Sequence, residues 1–289
     1  MFCTNFGETS VAIVLIAAIY WCLDKKLGEY LYITQGWADL VNGLAKVIAC
    51  IYRPWVLDPR VHPLKEIMVG ATGYSFPSGH VTTATTYLGG TILRGGLKKP
   101  LKIVLAIFLA LILFSRNYVG VHSVLDVIFG FLFTLCVLLI ISKLFDKLDE
   151  NPNLDIVIGA VGIIAAILIV IYALTKSYPM DYDAAGKLLV DPAILTLDTF
   201  RNAGAAIAIF LSWPIERRFI KFSIDGDTET KILRFLCGFI GLEFVINVIA
   251  PALGENPLGA FFQYFSIMLF IMLIYPAIIK YFQNRSKAE

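Results

Sequence analysis

Twelve consecutive residues, Ser115-Arg116-Asn117-Tyr118-Val119-Gly120-Val121-His122-Ser123-Val124-Leu125-Asp126, hold one of the three histidines of the chain beside a guanidinium and a carboxylate. With the chain helical after Val121, His122 and Asp126 stand at i and i+4 and share a face. A carboxylate at that offset accepts the Nδ1 proton of the imidazole and leaves Nε2 free as a nucleophile or a base. Arg116, six residues upstream, is close enough to set its planar fork over whatever His122 attacks, and such forks suit phosphate oxygens. The alternative reading is a His and an Asp that cap a membrane helix near the interface.

Two further stretches carry matching chemistry. Lys46 and Arg53 are seven residues apart, two helical turns, so both cations point the same way. A lysine inside an apolar span is costly and rarely idle; its other uses would be an ion pair with Asp39 or a hydrogen bond to Asn42. In Pro77-Ser78-Gly79-His80 a small flexible loop opens a helix, where backbone N–H groups and the helix dipole favour an anion.

The elements that must position these residues are apolar. Hydrophobic residues make up 58% of the 289 positions and charged ones only 16%, and the mean hydropathy is +0.77. That excludes an ordinary soluble domain and points to an all-α, polytopic transmembrane helical bundle. About nine spans are expected, near residues 9–23, 27–52, 80–93, 103–114, 123–144, 156–174, 197–213, 232–253 and 258–282. Gln35, Asp39, Asn42 and Lys46 form one stripe on the second helix, which must face protein or water rather than lipid. The loop from Arg53 to Gly79, rich in Pro and Gly, carries Trp55, Ile67, Met68 and Val69 and is expected to lie partly on the membrane surface. No removable signal peptide is read at the N-terminus. Cys3, Cys22, Cys50, Cys136 and Cys237 form no C-x-x-C and are expected to pack as buried thiols. No basic stripe suggests nucleic acid as a partner.

Alternating spans put Lys25, Lys26, the 94–102 turn, Lys143, Lys147, the 217–234 loop and Lys280, Arg285 and Lys287 on one side, 16 of the 24 Lys and Arg. The positive-inside rule makes that side cytoplasmic. The N-terminus is then outside and the C-terminus inside. Arg53, Pro77–His80 and Ser115–His122 all emerge on the outer face.

Written as K-x6-R-P, P-S-G-H and S-R-x5-H-x3-D, the three stretches in this order closely resemble the signature of the type-2 phosphatidic-acid phosphatase (lipid phosphate phosphatase) superfamily. The resemblance covers about Lys25 to Leu144. It implies a six-helix phosphatase core, here within 1–150, with 151–289 supplying additional helices of the same bundle. It also implies that His122 is the nucleophile that forms a phosphohistidine, that Asp126 orients it, and that His80 protonates the leaving group and then activates water. Lys46, Arg53, Ser78, Gly79 and Arg116 would hold the phosphate oxygens. No cofactor or metal is implied. His62 matches no signature position and reads as a loop residue, with substrate entry as the alternative.

More weakly, the loop 176–198, Leu197-Asp198-Thr199-Phe200-Arg201 and the Trp21-Cys22-Leu23-Asp24-Lys25 step resemble the sphingosine-phosphate phosphatase branch; similar bacterial members suggest a bacterial plasma membrane. Arg201 is expected to pair with Glu243, which shares a face with Asn247. The leading expectation is a membrane phosphatase acting on a phosphorylated lipid among membrane lipids, its substrate an isoprenoid, glycerophospholipid or sphingoid phosphate or diphosphate. A lipid phosphotransferase and a phospholipid transporter are the alternatives, and no internal repeat favours the transporter. Oligomeric state is not legible.

Overall fold

The computed structural model describes residues 5–64, 68 and 71–285. Cys3, Lys65, Ile67, Val69 and Lys287, used in the reading above, lie outside the described residues. Among these, helices dominate and no strand forms; only an isolated bridge joins Tyr182 and Leu188.

Among the described residues nine principal helices run in order: α1 (Thr9–Leu23), α2 (Lys25–Ala49), α3 (79–94), α4 (Lys99–Tyr118), α5 (Val124–Asp146), α6 (Leu154–Thr175), α7 (Pro192–Ile220), α8 (Thr228–Ala252) and α9 (Pro257–Arg285). Seven of them are long and apolar enough to cross a membrane, so the protein is an integral membrane protein. The other two, α1 and α3, are shorter, and with them the expected count of about nine helices is met among the described residues. Both are packed inside, through Ile16, Tyr20 and Trp21 on α1 and Val81, Thr82, Ala84 and Thr86 on α3.

Helix starts follow side-chain capping chemistry. Asp24 accepts from Leu27 N at 2.9 Å to open α2, and Asp191, Asp227 and Asn256 cap α7, α8 and α9. Small residues set the closest approaches, as membrane helix packing requires. A Cβ on Gly28 would strike the Tyr20 backbone between α1 and α2, and one on Gly204 would strike the Phe261 carbonyl between α7 and α9.

The Trp21–Lys25 step staples the N-terminal helices to the C-terminal ones. Trp21 Nε1 donates to Ile271 O at 3.0 Å, and Cys22 Sγ lies 3.4 Å from Lys231 O. Lys25 Nζ sits 2.7 Å from the buried Glu216 carboxylate. Two corrections follow from packing. Cys22 and Cys50 are buried as expected, whereas Cys136 and Cys237 are exposed on the outside of the bundle. Arg201 does not meet Glu243: it pairs with Asp198 one turn back at 3.0 Å, while Glu243 accepts from Asn247 Nδ2 at 2.8 Å.

Candidate active site

The site is assembled where α2 ends and α3 and α5 begin. Cys50 takes a left-handed conformation, φ 46°, and turns the chain out of α2. Lys176, from the connection between α6 and α7, donates to the last carbonyls of that helix, Val47 O and Ile48 O. This favourable cation at a helix C-terminus fixes the turn that launches Arg53.

Arg53 is buried and spends its fork on two loops. Nε and Nη2 donate to Gly73 O at 3.2 Å and Thr72 O at 2.9 Å, and Nη1 donates to Val121 O at 3.0 Å. The same Nη1 lies 3.1 Å from His122 Nε2. One guanidinium therefore ties the segment before Pro77 to the segment before α5 and faces the imidazole.

His122 itself is not helical, contrary to the expectation that it shares a helical face with Asp126. Ser123 is the N-cap of α5: its Oγ accepts from Asp126 N at 3.2 Å, and Asp126 Oδ2 accepts from Ser123 N at 2.6 Å. This capping box begins the helix at Val124, two residues after His122. The two side chains still meet, but Nδ1 and Asp126 Oδ2 are 3.6 Å apart, too far for a hydrogen bond.

Ser75 fills the gap. Its Oγ stands 3.3 Å from His122 Nδ1 and 2.5 Å from Asp126 Oδ2. Because a guanidinium can only donate, Nε2 facing Arg53 is an acceptor and Nδ1 carries the proton. The proton ladder then runs Nδ1–H to Ser75 Oγ, and Ser75 O–H to Asp126. Ser75 escaped the sequence reading because it belongs to none of the three patterns; its place two residues before Pro77 was the only available signal.

The remaining expected residues converge on the same place. Ser78 N donates to Asp126 O at 3.1 Å, which ties the Pro77–His80 loop to α5. Ser78 opens α3 without its side chain capping the helix, and its buried hydroxyl has no partner among the described residues. Gly79 begins α3 beside open space. Asn42 Nδ2 donates to Thr82 Oγ1 at 2.9 Å and so sets α3 against α2. Lys46 Nζ donates to Tyr74 O at 3.3 Å, and not to Asp39 or Asn42. Arg116 is 2% exposed, in the last turn of α4, which runs to Tyr118 rather than ending at Phe114. Asn117 Nδ2 then holds His122 O at 3.0 Å. His80 lines a cavity with Lys46 and Gly79, and Lys46, Arg53 and Arg116 act electrostatically on both His80 and His122. His62 stands exposed in its loop.

Burial pulls the His122 imidazole down to about 3, a direction the three cations reinforce and the neighbouring Asp126 carboxylate opposes. The result is a neutral imidazole with an unprotonated Nε2 beside three cationic side chains. Such an arrangement is chemically able to serve as a nucleophile or base facing an anion.

Residues 26–150 match the model of the PAP2 superfamily, and residues 200–287 match that of the PAP2 superfamily phosphatase, transmembrane extension. The chain belongs to the PAP2 superfamily. All three histidine- and cation-bearing segments lie inside the first match. Sphingosine-1-phosphate phosphatase 1 of Rattus norvegicus is 35% identical over 52% of this PAP2 chain and 36% of its own length. Undecaprenyl-diphosphatase of Sulfolobus acidocaldarius is 32% identical over 46% of the chain and 62% of its own length. Sphingosine-1-phosphate phosphatase 2 of Homo sapiens is 27% identical over 72% of the chain and 50% of its own length. The chain thus spans about a third to under two thirds of these relatives. No solved structure matches.

Proposed function

We propose that this protein is a membrane phosphatase that hydrolyses a lipid phosphate or diphosphate, isoprenoid, glycerophospholipid or sphingoid, through a phosphohistidine on His122. The observation that carries the reading is the two-sided hold on His122: Nδ1 engaged by Ser75 and Asp126, Nε2 presented to Arg53.

In the first step the Nε2 lone pair attacks phosphorus and the bond to the lipid oxygen breaks. His80 gives its proton to that oxygen, help typically worth ~10²–10⁴ in rate. The imidazole becomes cationic as the N–P bond forms, and the Ser75–Asp126 ladder stabilises that charge. Lys46, Arg53 and Arg116, with the Ser78 hydroxyl and the Gly79 N–H, hold the non-bridging oxygens, so positioning and electrostatics dominate. In the second step His80 takes a proton from water, the water oxygen bonds to phosphorus, and the N–P bond breaks to release inorganic phosphate. No metal takes part. The excess of Lys and Arg on the opposite side of the alternating spans supports an outer-leaflet site, with the N-terminus outside and the C-terminus cytoplasmic. Residues 1–150 act as the catalytic core, and 151–289 wall it laterally.

The test is phosphate release by purified protein from a panel of lipid mono- and diphosphates, with a chelator present. Release that persists with chelator and disappears in His122→Ala supports the phosphatase. Phosphate recovered only on a second lipid makes the protein a transferase. Lipid movement that survives His122→Ala makes it a transporter.

A further inference from the structure

At the end of the bundle opposite the phosphoryl site, a cavity of about 650 Å³ lies between the first turns of α8, the last turns of α9 and the 223–226 connection. Lys25, which opens α2, donates to the carbonyl of Phe222 beside that connection at 3.1 Å. From there α2 runs about 30 Å to Lys46, so this cavity is separate from the site already described.

Its lining is graded. Thr230, Lys280 and Gln283 stand toward the end of the bundle, and Cys237, Tyr275 and Ile279 stand one to two turns deeper. Leu233 and Phe282 also line it and are exposed on the outside of the helices, so the groove has an apolar lip.

Arg234 sits between the two ends and is 8% exposed. Nη1 donates to Trp21 O and Nη2 to Asp225 O, each at 3.0 Å. Both partners are neutral carbonyls, and these bonds use two of the five N–H groups of a guanidinium. Among the described residues no carboxylate stands within ion-pair distance of Arg234 or of Lys280. The Asp225 carboxylate accepts from Ser223 Oγ at 2.5 Å instead. A buried cation with spare donors and no counter-charge is costly unless an anion reaches it.

The charge and the walls together choose the occupant. Two cations against one carboxylate leave the polar end positive, which suits a phosphate. The apolar walls, open sideways at Leu233 and Phe282, suit a hydrocarbon chain. Basic pockets between transmembrane helices are a recurrent seat for anionic lipid headgroups. A soluble phosphate would leave the walls uncovered, and a zwitterionic lipid would bring a further cation to the two already there.

We propose that this groove binds one anionic phospholipid from the leaflet opposite the phosphoryl site, its phosphate on Arg234 and Lys280 and an acyl chain along Leu233, Cys237 and Ile279. The lipid is a ligand rather than a substrate. It braces the join between the N-terminal and C-terminal helices, because Arg234 holds Trp21 O and the Tyr275 hydroxyl donates to Arg234 O. The proposal is independent of the phosphatase reading.

The experiment titrates the full chain, purified in detergent and stripped of lipid, with phosphatidylglycerol, phosphatidylcholine or inorganic phosphate, and reads native mass spectra and the unfolding midpoint. One phosphatidylglycerol per chain is expected, bound about tenfold or more tighter than phosphatidylcholine, the worth of a hydrogen bond to a charged group, with a raised midpoint. Lys280→Ala should weaken it about fivefold, the worth of one cation near a lipid headgroup, and Arg234→Gln by more. Cys237→Trp, which fills the groove, should abolish it. Should Arg234→Gln fail to fold, Lys280→Ala and Cys237→Trp still decide. Equal retention of the two lipids, or wild-type affinity in both Lys280→Ala and Cys237→Trp, overturns the site. Binding lost in Lys46→Ala instead would put the lipid in the phosphoryl site, and an equal midpoint shift with inorganic phosphate alone would remove the role of the chain; either result overturns the proposal as well.

Discussion

Replacing Ser75 by alanine isolates the contact that joins the imidazole to its carboxylate. The substitution removes the 3.3 Å contact to His122 Nδ1 and the 2.5 Å hydrogen bond to Asp126, leaving those two groups 3.6 Å apart. Asp126 keeps the backbone N–H of Ser123, so the start of α5 persists. What is lost is the charge-assisted bond that compensates the imidazolium formed during attack, worth ~1.5–3 kcal/mol. At 1.36 kcal/mol per decade this is about a 10- to 150-fold fall in the rate of phosphoenzyme formation. Single-turnover phosphate release is the assay, because steady-state rates in such enzymes can report product release instead. Asp126→Asn should be at least as slow, and the double variant no slower than the worse single one. A Ser75→Ala enzyme within twofold of wild type would show that the imidazole reaches the carboxylate unaided, and would refute the ladder.

Arg53→Lys cannot reproduce a fork that reaches Thr72 O, Gly73 O and Val121 O at once, so kcat/KM should fall by ~10²–10³ as for loss of an anion-stabilising donor; near-normal kinetics would argue against it. Because burial holds His122 at about 3, below the ordinary ~6.5 of imidazole, its protonation removes the nucleophile only in strong acid. Loss of the His122 nucleophile should therefore produce no acid limb near 6.5 in the kcat/KM profile, corrected for the substrate phosphate, and Asp126→Asn, which removes an opposing interaction, should push any His122 limb lower still. Gly204→Ala drives a methyl into the Phe261 carbonyl between α7 and α9 and should cost ~1–3 kcal/mol or more, read as a lowered unfolding midpoint in detergent.

The three patterns were legible because K-x6-R-P, P-S-G-H and S-R-x5-H-x3-D each sit in one short run of chain. Lys46, Arg53, Ser78, His80, Arg116, His122 and Asp126 do come to one end of the bundle. The way they meet was not legible. His122 and Asp126 meet through a capping box and Ser75 rather than along a helical face, because Ser123 is a better helix start than Val121. Ser75 is distant in sequence and belongs to no motif. Cys136 and Cys237 were misplaced because hydropathy cannot separate a lipid-facing position from a core one. Arg201 and Glu243 share a depth, yet each found a nearer partner on its own helix. The stripe Gln35, Asp39, Asn42 and Lys46 was read rightly as turned away from lipid, but only the packing of α7 and α9 reveals the cavity it lines.

The central claim is that His122 takes the phosphoryl group onto its own nitrogen, and alkaline-quench trapping with a phosphate-labelled lipid substrate tests it most directly. Wild-type protein should carry acid-labile, base-stable label at His122; His80→Gln, slowed in the water step, should accumulate more of it, and His122→Ala none. Label that survives in His122→Ala, or product formed by wild type without any labelled protein across the time course, would contradict the account.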